Sequence, residues 1–179
     1  MLPHKEFHHK KAVLPSNEDI LYARSIQGML APTEEELNDL FQNLAVYDKP
    51  LGFLSGDFLF ARKKKDLTFL AVCDCTGHGM SAALMTVLAR EKLSHAFDKS
   101  IGPAHLLTRL DEKFRRSILR GDKGRLMRAG AGMDLAVIAL NHDRRSLRFA
   151  GARRPLWIVR NGELLEYKGT PRSIGGNYW

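Results

Sequence analysis

The apolar positions of this chain change period three times. From Ser16 to Leu30 the residues Ile20, Ala23, Ile26 and Leu30, with Gln27 among them, recur at helical spacing. Ser16-Asn17 offers an N-cap, Glu18 and Asp19 sit in the first turn, and Pro32 closes the run. Thr33 with Glu36 is a second capping-box pattern, opening a short helix through Leu40-Phe41. After Pro50 the pattern turns sheet-like: Phe53–Phe60 and Leu67–Cys73 read as a hairpin around the basic turn Arg62–Asp66. Helical spacing returns in Met80–Phe97, apolar at Ala82, Ala83, Met85, Leu88, Ala89 and Leu93. It continues in Pro103–Leu119, with Leu106, Leu107, Leu110, Phe114 and Ile118 on one face. Beyond the basic, glycine-punctuated segment Gly121–Gly132, strands are expected at Met133–Leu140, Ser146–Ala150, Pro155–Val159 and Glu163–Tyr167. Arg160-Asn161-Gly162 forms a tight turn between the last two. Helix, hairpin, two helices and an antiparallel meander predict an α+β fold, not a doubly wound sheet.

Length and composition set the frame. A chain of 179 residues that is 44% hydrophobic suits one domain with a real core. Residues 1–15 read as a flexible basic arm, 16–49 as an N-terminal helical segment and 50–179 as the core. His4, His8 and His9 lie in the arm, where a mobile tail is the stronger reading than a metal site. No apolar run approaches bilayer length and the first residues lack the apolar stretch of a signal peptide, so the expectation is a cytoplasmic protein without membrane insertion. Cys73 and Cys75 read as buried structural thiols on opposite strand faces, poorly placed for a bridge and consistent with a reducing compartment.

The net charge of +8 raises the question of nucleic acid. The basic residues are spread over Arg62–Lys65, Arg115–Arg128, Arg144–Arg148 and Arg153-Arg154, and no nucleic-acid module accompanies them. Solvated faces, or attraction of an anionic protein or phosphate substrate, are the better reading.

The chemistry concentrates in three acids that interrupt apolar strand sequence: Asp57 after Gly56, Asp74 at the end of its strand, and Asp134 after Gly132. Each alone is an ordinary turn or cap residue. Together they form a candidate oxygen-rich site of the kind that takes Mg²⁺ or Mn²⁺, because converging carboxylates need cations among them. Gly77-His78-Gly79, opening a helix, fits neither common nucleotide loop, and His78 reads as a solvent-facing turn residue.

The segments SGDF (55–58), CDCTGHGMSAALM (73–85), GMDLAVIAL (132–140) and LRFAGARRPLWIVRNGELLEYKGTPRSIGG (147–176) resemble the SpoIIE-like branch of PPM-type, metal-dependent serine/threonine phosphatases. EDILYARSIQGMLAP (18–32) is similar to the helix that precedes the core in many members. The resemblance implies two stacked antiparallel sheets flanked by helices, an αββα sandwich holding two Mn²⁺ or Mg²⁺ ions. Carried over residue by residue, Asp74 bridges both ions, Asp57 joins the same cluster, the backbone carbonyl of Cys75 ligates one ion and Asp134 forms the other wall. Asp57 and Asp74 are then the catalytic acids, and a metal-bridging hydroxide attacks phosphorus in line. The implied substrate is a phosphorylated protein, such as an anti-sigma-factor antagonist in bacterial partner-switching regulation. The helix at 18–32 implies a regulatory link or a homodimer. A catalytically silent binding module on the same fold is the alternative.

Two departures accompany the resemblance. Cys75 stands where a small residue is common, although a carbonyl serves from any residue. Family members also continue past the IGG stretch to further strands and a DG motif whose aspartate completes the metal site. The resemblance therefore implies a core with its C-terminal strands missing, weak turnover, metal binding only at high concentration and a tendency to self-associate.

Overall fold

The structure is a computed structural model that describes residues 15–120 and 130–176. Most of the arm, the three histidines in it, the greater part of Gly121–Gly132 and the side chain of Ile118 lie outside the described residues.

Two capped helices open the fold. Helix α1 (Asn17–Gly28) is closed by a reciprocal capping box, in which Ser16 Oγ accepts the Asp19 N–H at 3.1 Å and the Asp19 carboxylate accepts the Ser16 N–H at 2.8 Å. Helix α2 (Glu34–Leu40) repeats the device with Thr33 and Glu36, at 3.1 and 2.8 Å. The apolar stripe expected along α1 is not a core face. No residue of the helix is buried, and Leu21, Tyr22 and Ile26 stand exposed. Gln27, the polar member of the stripe, makes the fixed contact instead, as described below.

Strand β1 (Asp57–Lys64) starts later and runs further than its hydrophobic pattern predicts, and β2 (Leu67–Cys75) extends by two residues. The hairpin turn shrinks to Lys65-Asp66, with Lys65 at φ 54°. The basic run belongs to the strand because Arg62 and Lys64 have partners on and just after helix α3 (Gly79–Asp98). Lys64 Nζ donates to the carbonyls of Phe97, Asp98 and Ser100 at 3.1, 2.8 and 2.8 Å, satisfying the orphan end of that helix. Arg62 reaches Ser94 at 3.0 Å, and its guanidinium lies over the Phe97 ring.

Helix α4 (Pro103–Arg120) follows, then β3 (Met133–Asn141), β4 (Ser146–Ala152), β5 (Leu156–Arg160) and β6 (Glu163–Tyr167). Strands β1-β2-β3-β4 form one antiparallel sheet in that order, and β5-β6 form a second. This is the expected α+β fold with two antiparallel sheets and flanking helices.

One face of the larger sheet carries the core. Phe69, Ala71, Cys73 and Cys75 of β2, with Met133, Leu135, Val137 and Ala139 of β3, are buried with Leu93 and Phe97 of α3 and Leu106, Leu110 and Phe114 of α4. Phe97 meets Phe60 and Phe69 edge-on, at 5.5 and 5.1 Å between ring centroids. Both cysteines are buried on this face, which corrects the expectation of opposite faces, because residues i and i+2 of a strand point the same way. The other face of β2 shows Val72, 55% exposed, and Asp74. No helix among the described residues is long and apolar enough to cross a membrane.

Candidate metal centre

Register brings the three acids into one row. Asp57 faces Asp74 across β1 and β2, and Asp74 faces Asp134 across β2 and β3. Directly opposed residues of antiparallel strands share a face, with Cβ atoms about 4.5–5.5 Å apart. The row therefore stands on the sheet face away from the helical core, at the end of β2 where the chain turns into α3.

Glycines make that row possible. A Cβ on Gly56 would fall 2.7 Å from the Cys75 carbonyl oxygen, and one on Gly132 would fall 2.8 Å from the Ile174 carbonyl oxygen. At these approaches the Cys75 N–H donates to the Gly56 carbonyl at 2.9 Å and the Thr76 N–H to the Gly132 carbonyl at 3.0 Å. The chain then leaves the sheet through Gly77, at φ 108°. His78 follows, exposed and without a side-chain capping bond, as its turn position predicts.

Three like charges side by side require compensation, and the surroundings supply some. Burial and the neighbouring Asp74 charge push the Asp57 carboxyl above its usual range; a hydrogen bond with Asp74 and the Asp48 charge add to this, and Arg154 opposes it. Arg154 Nη2 donates to Asp74 Oδ2. Asp134 accepts the Ser173 hydroxyl at 2.5 Å, and Arg153 Nε stands 3.7 Å from its other oxygen. Asp57 and Asp74 thus face each other directly and the charge of Asp74 bears on Asp57, whereas Asp134, although in register, is engaged by a serine and an arginine. Among the described residues no three ligating side chains converge as a closed cluster.

Arg153, Arg154 and Ser173 join the site although in the sequence they stand only within a spread of charge and a family segment. The available signal was an arginine pair between a strand end and Pro155. A cleft of about 430 Å³ opens beside the acids, lined by Asp57, Val72, Asp74, Ala136, Arg154 and Trp157 among others.

The donor chemistry fits a hard cation. The thiols are not available as ligands because both are buried on the core face of β2, away from the acid row; burial pushes Cys73 well up, and burial with the Asp74 and Asp57 charges pushes Cys75 up to about 12. What remains is carboxylate oxygen and backbone carbonyl, the set that suits Mg²⁺ or Mn²⁺. Asp57, opposite Asp74 and raised by burial and by that charge, is the acid a further cation would relieve.

Residues 64–175 match the family described as Stage II sporulation protein E (SpoIIE). The chain belongs to the SpoIIE family. The matched segment includes Asp74 and Asp134, while Asp57 precedes it. Among solved structures, the SiaA-PP2C domain of Pseudomonas aeruginosa is 32% identical with a TM-score of 0.77, the match covering 88% of this chain and 62% of that one. The chain thus spans less than two thirds of that solved chain. The PP2C phosphatase domain of SpoIIE from Bacillus subtilis, solved with a fragment of its regulatory domain, is 19% identical with a TM-score of 0.53, covering 69% of this chain and 35% of that one. A structure from work on the bacterial stressosome is 18% identical with a TM-score of 0.52, covering 72% and 59%. Among curated proteins none matches. The fold is that of a PP2C phosphatase domain, as the resemblance implied.

Proposed function

We propose that this SpoIIE-family domain is a metal-dependent phosphatase that hydrolyses phosphoserine or phosphothreonine on a regulatory protein. The observation that carries the reading is the row Asp57–Asp74–Asp134 on three adjacent strands, with Asp57 and Asp74 directly opposed. Asp57 and Asp74 would hold the first divalent ion, with the Cys75 carbonyl at its edge. Asp134 would join once Ser173 and Arg153 release it. Bound Mn²⁺ or Mg²⁺, two ions as the family resemblance implies, would neutralise phosphoryl oxygens and supply an activated water. The strand register sets the acids in one row on a single sheet face, and the cleft beside Trp157 would admit the phosphorylated side chain. A phosphorylated partner of the anti-sigma-factor-antagonist kind is the substrate that family membership favours. Two buried free thiols are in keeping with a reducing, cytoplasmic setting.

A second reading, a phosphatase-fold module that binds without turnover, draws on the engagement of Asp74 by Arg154 and of Asp134 by Ser173 and Arg153. Hydrolysis of p-nitrophenyl phosphate and of a phosphorylated protein, measured with and without Mn²⁺, separates the two. The phosphatase reading expects turnover that requires Mn²⁺ and disappears in Asp74→Asn. Metal-independent turnover, or turnover unaffected by that change, would overturn it.

A further inference from the structure

Arg154 sits at a corner that the backbone fixes with unusual closeness. Arg153 before it adopts φ 58°, a left-handed conformation that a residue with a side chain adopts at a cost. The Arg153 N–H is held by the Thr170 carbonyl at 2.8 Å, and Thr170 N–H by the Gly151 carbonyl at 2.7 Å. Two glycines make room for the corner itself. A Cβ on Gly151 would fall 2.2 Å from the Arg154 carbonyl oxygen, and one on Gly169 would fall 2.8 Å from the same atom. Pro155 follows at once and restricts Arg154 further. The backbone at 154 is thus set, while its side chain stays about half exposed, at 47%. From this corner the guanidinium reaches Asp74, and its charge also bears on Asp57.

We propose that Arg154 is the resident counter-ion of the acid row: it offsets part of the charge of the Asp57–Asp74 pair in the metal-free protein and has to leave Asp74 for a divalent cation to bind there. The inference rests on the reading that Asp57 and Asp74 hold such a cation. An exposed arginine–carboxylate pair is weak and reversible, so a divalent ion meeting both carboxylates displaces it readily. The arginine therefore lowers metal affinity while it reduces the repulsion between the two acids when no metal is present. Its pinned backbone keeps the displaced guanidinium at the mouth of the cleft, one side-chain length from its resting place.

The test is Mn²⁺ binding by titration calorimetry together with melting temperature, with EDTA and with Mn²⁺, for the chain and for Arg154→Gln, Arg154→Ala and Asp74→Asn. Arg160→Gln, on the distant end of β5, controls for net charge. Both Arg154 variants are expected to bind Mn²⁺ roughly three- to tenfold more tightly, the worth of one exposed charge pair with its hydrogen bond. They should melt lower than the parent in EDTA, and Mn²⁺ should narrow or reverse the difference. An arginine that merely held the corner together would lower the melting temperature equally in both conditions. Unchanged Mn²⁺ affinity in both Arg154 variants, with affinity lost in Asp74→Asn, overturns the counter-ion role and leaves the metal reading intact. Undiminished binding by Asp74→Asn overturns the metal reading itself, and binding by neither parent nor Arg154 variants overturns both.

Discussion

Gln27 grips Ser55 by both ends of its amide. Its Oε1 accepts the Ser55 N–H at 3.0 Å, its Nε2 donates to the Ser55 carbonyl at 2.6 Å, and the same nitrogen reaches the buried Thr86 hydroxyl at 3.0 Å. The pairing imitates a strand partner for a segment that has none, because β1 begins only at Asp57. It ties α1, which buries no side chain, to α3 and to the residue two before the first acid. Ser55 Oγ in turn accepts the Asp57 N–H at 3.0 Å.

Gln27→Ala should therefore cost about 1–3 kcal/mol, since part-buried backbone groups at Ser55 lose their partners. Gln27→Glu should cost a similar amount, because a carboxylate cannot donate to the Ser55 carbonyl or to Thr86. Denaturant midpoints measure the cost, and hydrogen exchange across 17–28 shows whether α1 detaches. A change within experimental error in both variants would mean that something other than this amide holds the helix.

The helices, their caps and most of the sheet were legible because local rules govern them. Ser16 with Asp19 and Thr33 with Glu36 are self-contained capping boxes, and the alternation of β3 is that of a strand buried on one face. The extent of β1 was not legible, because Arg62, Lys63 and Lys64 look like turn residues until α3 offers carbonyls to cap. The acids could be named because they interrupt apolar strand sequence, but their alignment depends on register, which no single segment contains. Arg154 and Ser173 reach the row from residues far along the chain. The role of Gln27 was hidden by its place in an apolar stripe.

Asp57 gives a pH prediction for the metal-free protein. Its folded carboxyl titrates above the ordinary 3.8, from burial first and the Asp74 charge second. A raised folded value stabilises the protein fully below the unfolded value, and that stabilisation is lost as pH rises through the folded value. Asp57→Asn, uncharged throughout, should therefore gain on the parent in EDTA as pH climbs from below 3.8 to neutrality. In Mn²⁺ the order should reverse, because the variant forfeits a ligand. Melting curves over this range in both media measure the crossing. A variant that shows no relative gain at neutral pH would deny the repulsion.

The segment 173–176 is strapped onto α4 by one ion pair. Asp111 Oδ1 accepts the Gly175 N–H at 2.7 Å, Asp111 Oδ2 pairs with Arg115 Nε at 2.9 Å, and Arg115 Nη2 donates to the Gly176 carbonyl at 2.6 Å. Ile174, inside the strap, exchanges both backbone bonds with Met133, and Ser173 holds Asp134. Asp111→Ala should speed amide exchange at Ile174 and Gly175 and release the Ser173 contact. Stability should fall by about 1–3 kcal/mol, as expected when part-buried donors lose a charged acceptor. Exchange unchanged at Ile174 would show that the bridge to Met133 holds the strap without α4.

The thiols provide the last prediction, which reads the core side of the same strand end. Cys75 is pushed up to about 12 by burial and then by the Asp74 and Asp57 charges, and Cys73 is raised by burial and by Cys75. A native thiol that keeps its proton is a poor nucleophile, so neither cysteine should react with a disulfide reagent near pH 8 until the protein unfolds. Linkage fixes the alkaline behaviour. The unfolded thiol titrates near 9.0, so the Cys75 contribution to stability is complete below that pH and is lost as pH rises through about 12. Lysines and tyrosines titrate in the same window, so the useful quantity is the difference between the parent and Cys75→Ala. The parent should lose stability more steeply than the variant above the unfolded value, as read from denaturant midpoints at successive pH values. Filling the acid row with Mn²⁺ should make that loss smaller, because the ion cancels the two charges that help to hold the proton on Cys75. Equal slopes with and without the metal would separate the thiol from the acids and leave burial as the whole cause of its shift.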